Sequence, residues 1–230
     1  MLVLGVKGAP GATTTALLLA GCLDGSLLVD ADIDGGVLAV RHGLTREPGL
    51  STLAADRSTG PEAVEQHFQE IGDVRVLVGP DHPGRAMSLW DRAGATLIER
   101  LGGCQRPVVI DGGRVRSSHA LDLLQADAGL AVVVVRSDSE GLVAATNLPE
   151  DLDASLVVVE SGPHEAAEIS EASKRTVIGT LPFDHRTASA VNGATVTWSR
   201  RGSARSPLGR GAQTLARAVS GECDKRDRLR

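Results

Sequence analysis

Lysine is scarce in this chain. Of 24 basic side chains only Lys7, Lys174 and Lys225 are lysines, and the others are arginines. Tyrosine is absent, and phenylalanine and tryptophan occur twice each. The carboxy-terminal stretch PLGRGAQTLARAVSG therefore carries Leu208, Leu215 and Val219 without bulky aromatic anchors, which argues against a membrane-surface helix. Cysteine occurs three times, at Cys22, Cys104 and Cys223, odd in number and far apart. That spacing excludes a disulfide framework and a zinc cluster, and points to reduced thiols in a cytoplasmic protein. The six histidines are scattered without paired metal spacing. No apolar run approaches the roughly 18 residues of a membrane span. The opening MLVLGVKGAP has neither a basic leader nor a cleavage site, so no secretory leader is expected.

What is present reads as a globular α/β chain. Its 230 residues, 42% apolar and 23% charged, suit one domain with a proper core. We expect that domain over 1–220 and a polar, disordered tail over 221–230. Short apolar runs at 1–6, 26–32, 74–79, 107–111, 130–135, 155–160 and 175–180 read as strands. Several are continuously apolar, as strands covered on both faces are. Helical stretches are expected at 13–23, 61–71, 84–101, 117–125, 138–148, 163–172, 185–193 and 207–219. The alternation implies a three-layer α/β fold: a mostly parallel, twisted sheet flanked by helices. Ligands in such folds sit beyond the carboxyl ends of the strands.

The chemistry-bearing residues fall at those ends. The first strand runs into KGAPGATTT, the second ends on Asp30 and Asp32, and the fourth on Asp111. Gly8 and Gly11 let backbone amides approach a phosphate, and Pro10 stiffens the loop. Thr13, Thr14 and Thr15 open a helix whose free N–H groups attract an anion. A standard phosphate loop places lysine before the hydroxyl residue; here Ala12 stands there, and Lys7 lies five residues earlier. The segment DADIDG imitates the start of a calcium loop, but its twelfth position is Arg41 and not glutamate, which rules calcium out. From Asp184 to Arg230 ten basic residues face four acidic ones. Arg200, Arg201, Arg205 and Arg210 there are candidates for DNA or an acidic partner.

KGAPGATTT resembles the deviant phosphate loop, K-G-G-x-G-K-[ST]-T, of the ParA/MinD superfamily of P-loop ATPases. LLVDADIDGGVLAVRHGLTREPGLSTLAA is similar to that family's switch I stretch, PVVIDGG to its Walker B strand and switch II, and VIGTLPFDHRTASAVNGA to its late G-x-L-P-x-D segment. A small residue in place of the second lysine resembles the CpaE/TadZ pilus-positioning branch and septum-site-determining relatives. The resemblance implies the P-loop NTPase fold and binding of ATP and Mg²⁺. It places Gly8, Ala9, Pro10, Gly11, Ala12, Thr13, Thr14 and Pro182 against the nucleotide. Thr13, Asp32 and Asp111 would serve the metal, with Asp30 in its outer shell. Lys7 would reach across a homodimer to the other subunit's nucleotide, and Asp32 would position the attacking water.

Three departures bear on activity. Ala12 removes a charged hydrogen bond worth roughly 1.5–3 kcal/mol, about ten- to a hundredfold in affinity. Ala9 puts a methyl where the family has glycine. Glu160 closes a strand where many relatives carry an asparagine that reads adenine, and a carboxylate can accept but not donate. Two functions follow. One is an ATP-dependent dimer switch, weakly or slowly hydrolysing, that positions pilus or secretion machinery, a division septum or a chromosome. The other is a non-hydrolysing scaffold of the same fold acting through protein partners. A nitrogenase-reductase-like role fails because Cys104 precedes Asp111, and a tyrosine kinase of this superfamily would need a tyrosine tail.

Overall fold

The computed structural model describes residues 1–6, 11–58, 60–193 and 204–228. Its first half comprises β1 (Leu2–Gly5), α1 (Ala12–Cys22), β2 (Leu27–Asp30), α2 (Leu38–His42), α3 (Leu50–Ala55), α4 (Pro61–Glu65), β3 (Gln69–Ile71), β4 (Val74–Leu77) and α5 (Pro83–Gly102). The second half comprises β5 (Val108–Arg114), α6 (His119–Asp127), β6 (Ala131–Arg136), α7 (Ser139–Thr146), β7 (Ser155–Glu160), α8 (Ala166–Ser173), β8 (Val177–Pro182), α9 (His185–Val191) and α10 (Pro207–Asp227).

The strands form one sheet in the order β3-β4-β2-β5-β1-β6-β7-β8. Every neighbouring pair is parallel except β3 with β4. The expected mostly parallel, three-layer α/β architecture is therefore what the chain adopts. β1, β2 and the first five residues of β6 are buried along their length, because helices cover both faces. One apolar cluster takes Trp90 and Leu97 of α5, Leu124 of α6 and Ile169 of α8. The opposite cluster takes Leu17, Leu18 and Leu19 of α1, Val191 of α9, and Leu208, Leu215 and Val219 of α10. α1 is apolar on nearly every side since it lies between the sheet and these two later helices. Each such fully buried leucine contributes about 1.5–3 kcal/mol.

Three local features differ from the sequence expectation. Residues 61–71 do not form one helix: α4 stops at Glu65, and Gln69–Ile71 turn back as an antiparallel edge strand. Between Asp32 and Ala55 stand two short helices, α2 and α3, that no periodicity announces. The last helix runs through Asp227 where a disordered tail was expected from residue 221, with Lys225 and Arg226 in its final turn favouring the helix dipole. No helix among the described residues is long and apolar enough to cross a membrane.

Candidate functional site

β1 feeds α1 at the carboxyl edge of the sheet. Gly11 is the N-cap, no side chain caps the helix, and its first turn carries no acidic residue. The first amides of a helix have no intrahelical acceptor, so this end is open to an anion. Thr13 and Thr14 are half-buried at this end, whereas Ala12 is only 9% exposed and belongs to the apolar cluster on the α1 face. Lys7, Gly8, Ala9 and Pro10 lie outside the described residues.

The carboxylates converge by register. Asp30 and Asp111 are paired partners on the adjacent parallel strands β2 and β5. Leu28 and Val109, two residues earlier, pack in the α1-side cluster, so alternation turns both carboxyls toward α1. Each is 1% exposed. Burial, and then the Asp111 charge, push the Asp30 carboxyl up to about 8. Burial pushes Asp111 up to about 6, against the Thr13 hydroxyl and the Gly113 amide, which pull it down. The Leu38 N–H donates to Asp30 Oδ2 at 3.2 Å and the Gly113 N–H to Asp111 Oδ1 at 3.2 Å. The other two oxygens, Asp30 Oδ1 and Asp111 Oδ2, are buried without a hydrogen-bond partner among the described residues.

Asp32 follows β2 and is half-buried, and that burial raises its carboxyl above the ordinary range. Its Oδ1 accepts from the Asp34 N–H at 2.8 Å. The end of β5 passes close against it. Gly113 has φ +68°, and a Cβ there would lie 2.3 Å from the Asp32 carboxyl carbon. Only glycine satisfies both demands. Asp34 in turn pairs with Arg114 at 2.8 Å and with Arg116, tying the segment after β2 to the segment after β5. Both arginines are more than half exposed, so these pairs are worth about 0–1 kcal/mol.

Beside the start of α1 opens a cavity of about 460 Å³. Gly11, Thr14 and Thr15 form the wall nearest the helix start, and Val159, Leu181 and Pro182 contribute from β7 and β8. Farther out, the Arg136 guanidinium lies over the Phe183 ring, 5.5 Å from its centroid. Asp184 caps α9, accepting from the Thr187 N–H at 3.0 Å and its hydroxyl at 2.6 Å; those bonds hold its carboxyl below the ordinary value. Arg41 and Asn192 also line it: Arg41 Nη1 donates to Asn192 Oδ1 at 2.7 Å, and Asn192 Nδ2 donates to Thr14 Oγ1 at 2.8 Å. Arg41 is also near enough for its charge to lower the Asp111 carboxyl. A larger hollow of about 630 Å³ is lined by residues just before β7 and β8, Asp151 and Arg175 among them, at the opposite edge of the sheet from the start of α1.

Of the residues expected from sequence, Gly11, Thr14 and Pro182 line the cavity, while Asp30, Thr13, Asp32 and Asp111 group beside it. Glu160 does neither: it is exposed at the end of β7, and Val159 is the last residue of that strand to reach the cavity. Sequence reasoning missed Arg41, Arg136, Phe183 and Asn192. Arg136 ends a strand at the ligand-bearing edge, a position that marks it in hindsight. Asn192 has no such signal. Among the described residues no three His, Cys, Asp or Glu side chains gather as a metal site. Mg²⁺ does not need one, since it is commonly held by one or two carboxylates and by phosphate oxygens.

No protein-family model matches the sequence, and no curated protein matches it. Solved structures do match in shape. The ParA family ATPase from Chlorobium tepidum TLS superposes with a TM-score of 0.78 at 16% identity, over 94% of this chain and 97% of that one. The chain has the fold of the ParA/MinD ATPases. The Pyrococcus furiosus cell division ATPase MinD gives 0.75 at 17% identity, over 96% and 97% of the two chains. The septum site-determining protein MinD of Pyrococcus horikoshii, solved with Mg-ADP, gives 0.72 at 15% identity over 98% of each.

Proposed function

We propose that the chain belongs to the ParA/MinD superfamily and is a cytoplasmic, nucleotide-dependent dimer switch that binds ATP with Mg²⁺. The observation that carries this reading is the cavity running from the uncapped start of α1 to Pro182 and Phe183. An anion at the helix start and a flat apolar base between β8 and the Arg136–Phe183 wall fit its two ends. The orphaned oxygens of Asp30 and Asp111 suit a hard cation beside the phosphates. Thr13 and Asp111 would hold it, Asp30 and Asp32 would act from its outer shell, and bound Mg²⁺ would neutralise phosphate charge. Asp32 orients the attacking water, and Lys7 reaches the partner subunit's nucleotide. Hydrolysis is slow because Ala12 offers no positive group to the charge that builds in the transition state.

The cargo class follows the CpaE/TadZ-like and septum-site-like resemblance of the loop: pilus or secretion machinery, a division septum or a chromosome. Arg205 and Arg210 are exposed and, with Arg200 and Arg201, which lie outside the described residues, form a candidate DNA-contacting surface. Charge reversal at these four positions should abolish DNA retention; unchanged retention would remove DNA from the reading. The alternative is a scaffold of the same fold that does not hydrolyse, and the packing of Ala12 into the apolar cluster favours it. Calorimetric titration with Mg·ATP, with sizing in a slowly hydrolysed analogue, tests the proposal. Binding and analogue-induced dimerisation lost in Lys7→Ala support the switch. Binding without dimerisation or turnover supports the scaffold, and no binding at millimolar nucleotide rejects both as nucleotide proteins.

A further inference from the structure

The lysine missing at position 12 leaves a question of charge. A nucleoside diphosphate or triphosphate brings several negative charges to the start of α1, and the first turn of that helix contains no basic side chain. The cavity wall contains two arginines, Arg41 and Arg136. Arg136 stands at the far wall, over Phe183 and 3.9 Å from the Asp138 carboxylate, its buried Nε without a hydrogen-bond partner among the described residues. Arg114 and Arg116 are engaged with Asp34. Arg41 has no carboxylate partner among the described residues; its one side-chain hydrogen bond there is to the neutral Asn192.

That bond fixes where the charge stands. Asn192 is the C-cap of α9 and links the Arg41 guanidinium to the Thr14 hydroxyl in the first turn of α1. The backbone is built for the approach: Gly193, at φ +79°, lies so close to α2 that a Cβ there would be 1.9 Å from the Arg41 carbonyl oxygen. Any other residue at 193 would push α2 and α9 apart. A guanidinium presents five N–H donors, so the bond to Asn192 leaves others for phosphate oxygens, which it recognises in a planar fork. A basic residue in the last turn of a short helix also complements the helix dipole, but that role asks for neither the Asn192 bridge nor the cavity position.

We infer that Arg41 supplies, from the opposite wall of the cavity and within the same subunit, the positive charge to the nucleotide's phosphate chain that Ala12 does not. This rests on the nucleotide reading above and identifies the residue that makes a lysine-free helix start workable. Its reach is toward the phosphates nearest Thr14, so a diphosphate benefits as well as a triphosphate.

The test is calorimetric titration of the full chain with adenosine, Mg·ADP and Mg·ATP, for the wild type, Arg41→Ala and Arg41→Lys. Arg41→Ala is expected to weaken both phosphate-bearing ligands by about ten- to a hundredfold and to leave adenosine within twofold. Arg41→Lys should recover part of the loss. If Arg41→Ala binds Mg·ADP within twofold of the wild type, this inference fails while the nucleotide reading stands. An equal loss for adenosine and Mg·ADP would make Arg41 a support of the cavity wall and overturn the inference as well. No binding of any of the three by the wild type would overturn the nucleotide reading and this inference together.

Discussion

Two acidic centres in this molecule make opposite use of the same side chain. Asp56, after α3, is saturated with partners. The His67 ring meets its Oδ2 at 3.0 Å, the Gln66 amide donates to Oδ2 at 3.0 Å and the Ser58 N–H to Oδ1 at 2.8 Å, and Arg100 stands 3.7 Å away. Those partners, His67 first, hold its carboxyl far below the ordinary range. Asp30 and Asp111 are more deeply buried, yet each keeps an oxygen without a partner among the described residues, and burial drives both upward. A carboxylate whose lone pairs are all met is a fastening. A buried one with a lone pair to spare is held in a costly state that a cation relieves. The hollow around Asp56, of about 460 Å³, is as large as the cavity beside the start of α1, so size alone does not distinguish the two regions. The unmet oxygens do.

The contrast can be broken at four points. Arg100 donates to the carbonyls of Leu53, Asp56 and Ser58 at 2.7, 2.8 and 3.0 Å. Arg100→Ala, which strands these acceptors, is expected to cost about 3 kcal/mol of stability. Denaturant unfolding should show that loss, with Mg·ADP affinity unchanged; a change in affinity would mean the two centres are coupled. Asp111→Asn should instead leave stability near wild type and remove the Mg²⁺ dependence of ADP affinity, a loss of roughly tenfold or more. Titration with and without Mg²⁺ reads this directly, and a persisting Mg²⁺ effect would place the ion elsewhere.

Asp30 gives the third point. Its carboxyl titrates near 4 when unfolded and at about 8 when folded. The stability contributed by the neutral form is therefore complete below about pH 4 and lost as the pH rises through about 8. Asp30→Asn should flatten that decline, raising the Tm at pH 8 in Mg²⁺-free buffer above that of the wild type and changing little at pH 4. An unaltered pH profile would mean that Asp30 is not the titrating group. The smallest effect belongs to Asp34→Ala. Its pairs with Arg114 and Arg116 are exposed, and their loss should move stability by less than about 1 kcal/mol. A larger shift would show that the segments after β2 and β5 depend on that tie.

The sheet and its acids were legible because both are written locally. Continuous apolar runs announce doubly covered strands, and Asp30, Asp32 and Asp111 stand at the ends of such runs. Where the structure departs, local pattern was short or ambiguous. α2 and α3 have five and six residues, less than two turns, so no periodicity can establish itself. The stretch 61–71 keeps a helical look past Glu65, but Gly72, at φ +57°, reverses the chain into the hairpin. The cavity's second wall was illegible for a different reason. Arg41 and Asn192 are 151 positions apart, and nothing at either position refers to the other. In the sequence Arg41 served only to dismiss calcium; in the fold it faces the start of α1.

The edge strand β3 has a consequence for how copies of this chain can meet. A sheet edge offers unpaired backbone groups to any other strand, and long flat edges are the usual templates for fibre growth. Here that edge is three residues long, antiparallel to its neighbour, and carries the exposed Glu70 at its centre. Strand addition there would gain few hydrogen bonds and would bring like charges together in identical copies. The turn that interrupts the expected helix thus also seals that side of the sheet against uncontrolled polymerisation.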